Sequence, residues 1–272
     1  MAPKRKCIFC GGGPLTKEHI FGEWFRKLVG IQEPKPGSVT HHVPGKAIEF
    51  DFEAIPVTRT ARVVCAACNN GWMAELEERA AEILTPLLHG QSGVLSENDL
   101  GLLARWAFKT AFVIDAASPG SQAGFPRDHR ELLRESGELP PRSAVWMTTW
   151  PGSTTTWTAH WGCSLAVREG EEPEDFNTYG ATFALGPIAF RVYATTQEPI
   201  DPEYFHELLP GIFKIHPRSA PIEWVGRFWI TAEQLEIWAF SIPRQIQINS
   251  VEGAAGMPFW MGEESAPIRG PE

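Results

Sequence analysis

Apolar residues recur at helical spacing over much of the first half of the chain and alternate with polar ones over much of the second. Between Leu15 and Val29, the positions of Ile20, Phe21, Trp24, Phe25 and Leu28 predict a helix that stops near Gly30. Residues 32–60 are rich in Pro, Gly and polar groups and read as an inserted loop or small hairpin, with a short strand at Ala47 to Phe52. Asn69 to Leu88 reads as a second helix with Trp72, Leu76, Ala80, Ile83, Leu84 and Leu87 on one side. Ser96 to Asp99 supplies an N-cap and acidic first turn for a third, apolar on most faces through Ile114 and therefore an interior helix. A short helix from Arg127 to Glu135 is stopped by Gly137 and Pro140-Pro141. From Ser143 the period becomes two. Trp157, Ala159, Trp161, Cys163, Leu165 and Val167 share one strand face, and Pro151-Gly152-Ser153 predicts a hairpin back to a strand at Val145 to Trp150. Further strands are expected at 179–185, 188–195, 212–216 and 222–230, and Thr231 with Gln234 forms a capping box for a last helix through Phe240.

This order of elements predicts an α+β protein in three parts: a module over residues 1–90, a helical connector over 91–140, and an antiparallel sheet flanked by helices over 141–272. The stretch from Leu102 to Ala117 is interrupted by Arg105, Lys109 and Asp115 and is shorter than the roughly 20 residues of a membrane span. The basic start of the chain runs directly into cysteines and glycines with no apolar signal segment, so the expected location is the cytoplasm.

A net charge of -9 argues against a protein that coats nucleic acid indiscriminately. The charge is unevenly spread, with 11 Lys/Arg against 9 Asp/Glu in residues 1–80 and 13 against 24 in the remainder. A polyanion would therefore meet the N-terminal part. Of five cysteines, Cys163 sits in the alternating apolar pattern as a small core residue, and the other four form two C-x-x-C pairs, Cys7/Cys10 and Cys65/Cys68. Four such thiolates are the ligand set of a structural Zn²⁺ site. The alternative, a dithiol redox motif, needs a thioredoxin-like βαβ context that the flanking sequence lacks.

Glu18-His19 stands between the two pairs, and Asn69 follows the second directly. With these residues, the order C-x-x-C, Glu-His, C-x-x-C-Asn over roughly residues 5–88 resembles the zinc-bound branch of the HNH (ββα-metal, His-Me finger) endonucleases. Glu18 stands where that family more often has Asp, and Thr58, Arg59, Thr60 and Arg62 occupy the stretch before Cys65 where many members place an Asn. The resemblance implies a treble-clef-like zinc module in which Glu18 and Asn69 hold a catalytic Mg²⁺ or Mn²⁺, His19 is the general base, and DNA is the substrate. The residue chemistry agrees: carboxylate and amide oxygens are hard ligands for such cations, and imidazole titrates near neutrality. Arg59 and Arg62 could contact a substrate phosphate or be surface charge; His41 and His42 read as surface histidines.

Two other functions fit parts of this pattern. A finger of the same shape without catalysis could bind nucleic acid or protein. Alternatively the C-terminal sheet, with Trp146, Trp150, Trp157, Trp161, Trp224 and Trp229, could bind a small ligand, a partner or a second copy of the chain. Aromatic residues at strand period are more simply core.

Overall fold

The computed structural model describes residues 5–29, 35–43, 46–54, 60–117, 125–151, 156–163, 177–196, 211–226, 230–235 and 237–239. The chain is a mixed helix and sheet structure in which every sheet is antiparallel. β1 (Leu15–His19) pairs with β4 (Thr60–Cys65). Between them lie α1 (Glu23–Val29) and a hairpin of β2 (Lys35–Val43) and β3 (Lys46–Ala54). The helix expected from Leu15 thus begins only at Glu23. Helical spacing of Ile20, Phe21 and Phe25 is preserved as burial, but Leu15–His19 is claimed by pairing with β4, and local propensity is a weak prior against such tertiary contacts. The expected short strand at Ala47 to Phe52 is the middle of the longer β3.

After β4 come a helical turn α2 (Ala66–Cys68), a wide π turn over Asn69–Met73 that kinks at Gly71, and α3 (Ala74–Leu88). β5 (Gly93–Leu95) leads into α4 (Glu97–Ala117). Ser96 caps α4 reciprocally: its Oγ accepts from the Asp99 N–H, while Asp99 Oδ2 accepts from the Ser96 N–H. α4 is buried on all sides and packs against α3, β4, α5 (Arg127–Ser136) and the large sheet. Among the described residues no helix is long and apolar enough to cross a membrane.

The large sheet has the order β10 (Phe213–His216), β6 (Ser143–Thr149), β9 (Ile188–Thr195), β8 (Thr178–Leu185), β7 (Thr156–Cys163). The hairpin expected at 151–153 is therefore absent: β6 lies between β9 and β10, and β7 pairs with β8. The end of β6 is instead bonded to the tight β8–β9 turn, where Trp150 donates its backbone N–H to Pro187 O (3.0 Å) and its Nε1 to Gly186 O (2.8 Å). A Pro-Gly turn signal reports a local bend and does not choose the partner strand. The strand expected over 222–230 is the short β11 (Ile222–Trp224), which pairs with β5 outside the large sheet. Thr231 and Gln234 exchange the expected capping bonds, and residues 232–235 and 237–239 are helical.

Both faces of the large sheet are covered. On one, Trp106 of α4 meets Phe183 and Phe190 edge-on at 5.8 and 5.3 Å. On the other, Trp146, Trp161 and Tyr193 lie beneath Ile230, Leu235 and Trp238. Arg191 is buried there between the Trp146 and Trp238 rings, 4.6 and 5.1 Å from their centroids, and donates to Trp238 O. Trp146, Trp161 and Trp224 are core residues, Trp150 and Trp157 pack partly against the core, and Trp229 lies outside the described residues. Cys163 ends β7 opposite Thr178.

Trp161 lies directly across the bare backbone of Gly180, where a Cβ would fall 2.6 Å from the indole ring. Gly180→Ala must displace that ring from a close-packed layer and should cost about 1–3 kcal/mol. Denaturant unfolding monitored by Trp fluorescence checks this; an unchanged midpoint would mean that the layer is loosely packed.

Candidate metal centre and the β1–β4 hairpin

The first C-x-x-C forms a tight knuckle. Cys7 N–H donates to Gly12 O and Gly11 N–H to Cys7 O, both at 2.9 Å, with Gly11 in the left-handed region (φ 68°) that a side chain would strain. Ile8 N–H reaches Val63 O at 3.0 Å and ties the knuckle to β4. The second pair begins at the end of β4 and ends in α2, so the strand and the following turn carry Cys65 and Cys68 to the same place. All four sulfurs lie within 4.8 Å of one another, and Cys10 Sγ is 3.5 Å from Cys65 Sγ. Zn–S bonds of about 2.3 Å in a tetrahedron imply sulfur separations of about 3.8 Å, so the cluster fits one zinc ion.

Its electrostatics point the same way. Burial raises the pKa values of Cys10 and Cys68. Burial also opposes ionisation of Cys65, but the Cys68 backbone N–H and the neighbouring sulfurs outweigh it and bring that thiol down to about 7. Four thiols in one pocket resist ionising together, and a dication removes that resistance. Phe9, between the two knuckle cysteines, is fully buried and meets Trp72 edge-on at 5.0 Å and Phe112 of α4 at 6.2 Å. The cluster is thereby anchored to the protein core.

β1 runs from this cluster and presents its residues alternately. Lys17 is exposed, Glu18 is buried and His19 is half-exposed. β4 has one extra residue here: Thr16 faces Val64 and Glu18 faces Ala61, so Arg62 and Val63 together oppose Lys17. Such a bulge re-aims side chains locally. Arg62 is exposed, and among the described residues neither it nor Lys17 forms an ion pair. Arg59 lies outside the described residues, and of His41 and His42 only the backbone, on β2, is described.

Asn69 returns to β1 from the turn after Cys68. Its Nδ2 donates to Thr16 Oγ1 and Lys17 O, each at 3.2 Å. Since a backbone carbonyl only accepts, the NH₂ group must face β1 and the amide oxygen must face away. His19 Nε2 lies 3.6 Å from Glu23 Oε2 at the start of α1. Glu18 turns to the other side of the strand, toward Lys109 of α4 and Glu77 of α3. Its pKa is raised to about 7, chiefly by burial, with Glu77 adding to the rise and Lys109 opposing it. Asn69 is thus brought to the strand that carries Glu18 and His19, whose two side chains diverge.

Sequence reasoning missed Glu77 and Lys109. Lys109 is fully buried, its ammonium contacts Glu77, and Glu77 Oε2 also accepts from Trp24 Nε1 at 2.6 Å. The available signal was a lysine inside a helix apolar on most faces: a buried ammonium requires a carboxylate.

The four-thiol geometry predicts one zinc per chain by elemental analysis. Cys65→Ala should lose the metal and unfold the module, and zinc affinity should fall as pH falls because protons compete for the thiolates. Folded chain without bound metal after reconstitution with zinc would contradict this. A second expectation concerns Glu18. Its proton is held up to about pH 7 in the folded chain against an ordinary 4.5, so the stability associated with the neutral form is complete below about 4.5 and lost as pH rises through about 7. Without added divalent metal, Glu18→Gln should therefore be more stable than wild type at pH 8, with the difference closing toward pH 5. Thermal melting across that range reads it; a difference independent of pH would show that Glu18 bears no such burden.

No protein-family model, curated protein or solved structure matches the chain, so the site's chemistry is read from its own residues and geometry.

Proposed function

We propose that the chain is a metal-dependent endonuclease of HNH type, with a zinc-bound ββα-metal module of treble-clef form and DNA as its substrate. The observation that carries this reading is the bond from Asn69 to β1. A purely structural thiolate knuckle needs only its four sulfurs. Here the residue after the last cysteine is fastened to the strand bearing a carboxylate and an imidazole.

In this reading Glu18 and the outward-facing amide oxygen of Asn69 hold Mg²⁺ or Mn²⁺, both being hard oxygen donors. When bound, that cation supplies charge stabilisation for the phosphoryl oxygens and the departing oxygen. The chain supplies the proton chemistry. Glu23 beside His19 Nε2 orients the imidazole and favours its protonated form, leaving Nδ1 to accept a proton from water. The new P–O bond forms as the bond to the leaving oxygen breaks, and the proton passes to His19. Lys17 and Arg62 on the outer side of the hairpin are placed to contact backbone phosphates. Arg59 joins that role in the proposal.

A second reading, a noncatalytic finger that binds nucleic acid or protein, is favoured by the burial of Glu18 on the side of β1 opposite His19. The two readings separate on turnover. His19→Ala should lower metal-dependent DNA cleavage by about 10²–10⁴ while zinc content and fold stay intact. Asn69→Ala should instead raise the Mg²⁺ or Mn²⁺ concentration required. Plasmid, single-stranded and branched DNA are the substrates to test. Folded, zinc-loaded wild type that cleaves none of them would establish the noncatalytic finger as the better account.

A further inference from the structure

Four separate elements converge behind His19. β1 brings Glu18, α1 brings Trp24, α3 brings Glu77 and α4 brings Lys109. Lys109 is fully buried, its ammonium contacts Glu77, and Glu77 is fixed from its other oxygen by the Trp24 indole N–H at 2.6 Å. Glu18 is 7% exposed and makes no hydrogen bond among the described residues. The charges acting on it are Lys109 and Glu77.

The arrangement thus places two carboxylates around one ammonium inside the protein. Such a group is a poor way to gain stability, because desolvation offsets the attraction and an apolar cluster of the same shape does as well or better. Its position is informative: it lies against the one buried side chain of β1 that carries charge, next to the residue in the role of base. Only Glu18 of the three belongs to the hairpin. Lys109 and Glu77 come from helices whose apolar residues are rooted in the core, so their location is set by the body of the protein.

We propose that Lys109 and Glu77 are positioning residues of the site on β1: Lys109, fixed by Glu77, is the counter-ion that holds the Glu18 carboxylate in place behind His19. The role rests on the endonuclease reading for its catalytic consequence, but the ionic arrangement can be tested without it.

The experiment is a double-variant cycle on the full, zinc-loaded chain, using Lys109→Met, Glu18→Gln and the pair together, with Lys109→Arg alongside. Three quantities are read: the denaturant midpoint, Mn²⁺ binding followed by electron paramagnetic resonance, and DNA cleavage in Mn²⁺. Lys109→Met leaves two carboxylates without their cation, so its midpoint should drop, and Glu18→Gln in the same chain should restore much of the loss. Mn²⁺ affinity and cleavage should each fall at least tenfold in Lys109→Met while zinc remains at one per chain. Lys109→Arg, which keeps the charge, should recover part of both. Should Lys109→Met not fold, Lys109→Arg with and without Glu18→Gln gives the same cycle.

Additive midpoint shifts would overturn the counter-ion assignment whatever the cleavage assay reads. Coupled midpoints with wild-type Mn²⁺ affinity and cleavage in Lys109→Met would overturn the positioning role. Coupled midpoints in a protein whose wild type neither binds Mn²⁺ nor cleaves DNA would overturn the endonuclease reading and leave the counter-ion assignment standing.

Discussion

The convergence of four thiols is the constraint on which the N-terminal part depends. Cys10 and Cys65 are 55 residues apart in sequence and 3.5 Å apart at their sulfurs. Closing a loop of that length by a cross-link is worth about 4 kcal/mol in the chain-entropy account. The intervening segment contains only one short helix, the β2–β3 hairpin and residues outside the description, so little else is available to bring the ends together. Once the cysteines meet, the consequences follow along the chain: the knuckle's Ile8 bonds to β4, β1 pairs with β4 in a fixed register, and Asn69 arrives at Lys17 because it follows Cys68.

Strand alternation then divides the chemistry of β1 between two environments. Lys17 and His19 face outward and Glu18 faces the interior. The outward face carries unpaired cations at a bulge in a protein whose overall charge is -9, an arrangement suited to phosphate. The inward face delivers one carboxylate to a site already holding a Lys–Glu pair. Lys109 thereby connects the hairpin to α4, and α4 connects it to the large sheet through Trp106. A single run of buried side chains passes from Cys7 and Phe9 through Phe108 and Phe112 to Phe183, Phe190 and Val192.

What the sequence discloses depends on how local the governing interaction is. Two C-x-x-C pairs have one economical use, and their convergence was legible from spacing. Ser96 with Asp99 and Thr231 with Gln234 were legible because a capping box is complete within four residues. The start of α1 was not, because Leu15–His19 takes its conformation from β4, 45 residues further on at its nearest described pairing, Leu15 with Cys65 and His19 with Thr60. The order of the large sheet was hidden for the same reason: Pro151-Gly152-Ser153 marks a bend, while the partner of β6 is chosen by β9 and by Trp150 reaching the Gly186-Pro187 turn. Lys109 and Glu77 are 32 residues apart, and nothing in their separate neighbourhoods pairs them.

The aromatic richness of the C-terminal half bears on where a nucleic acid would lie. Stacking of bases on a protein requires an exposed ring face beside cationic groups that hold the backbone. Trp146, Trp161 and Trp224 are buried, and the ring of Trp146 is occupied by the Arg191 guanidinium. Their energetic role is met by burial and ring packing, which leaves them no face to offer a base. The acidic balance of residues 81–272 further disfavours phosphate there. Exposed unpaired cations, a half-exposed imidazole and an amide oxygen turned to one side occur together on the β1–β4 hairpin instead. A polyanion drawn to the molecule would therefore be guided to the hairpin by charge, while the large sheet fixes, through α4 and Lys109, the interior charge against which the hairpin's carboxylate rests.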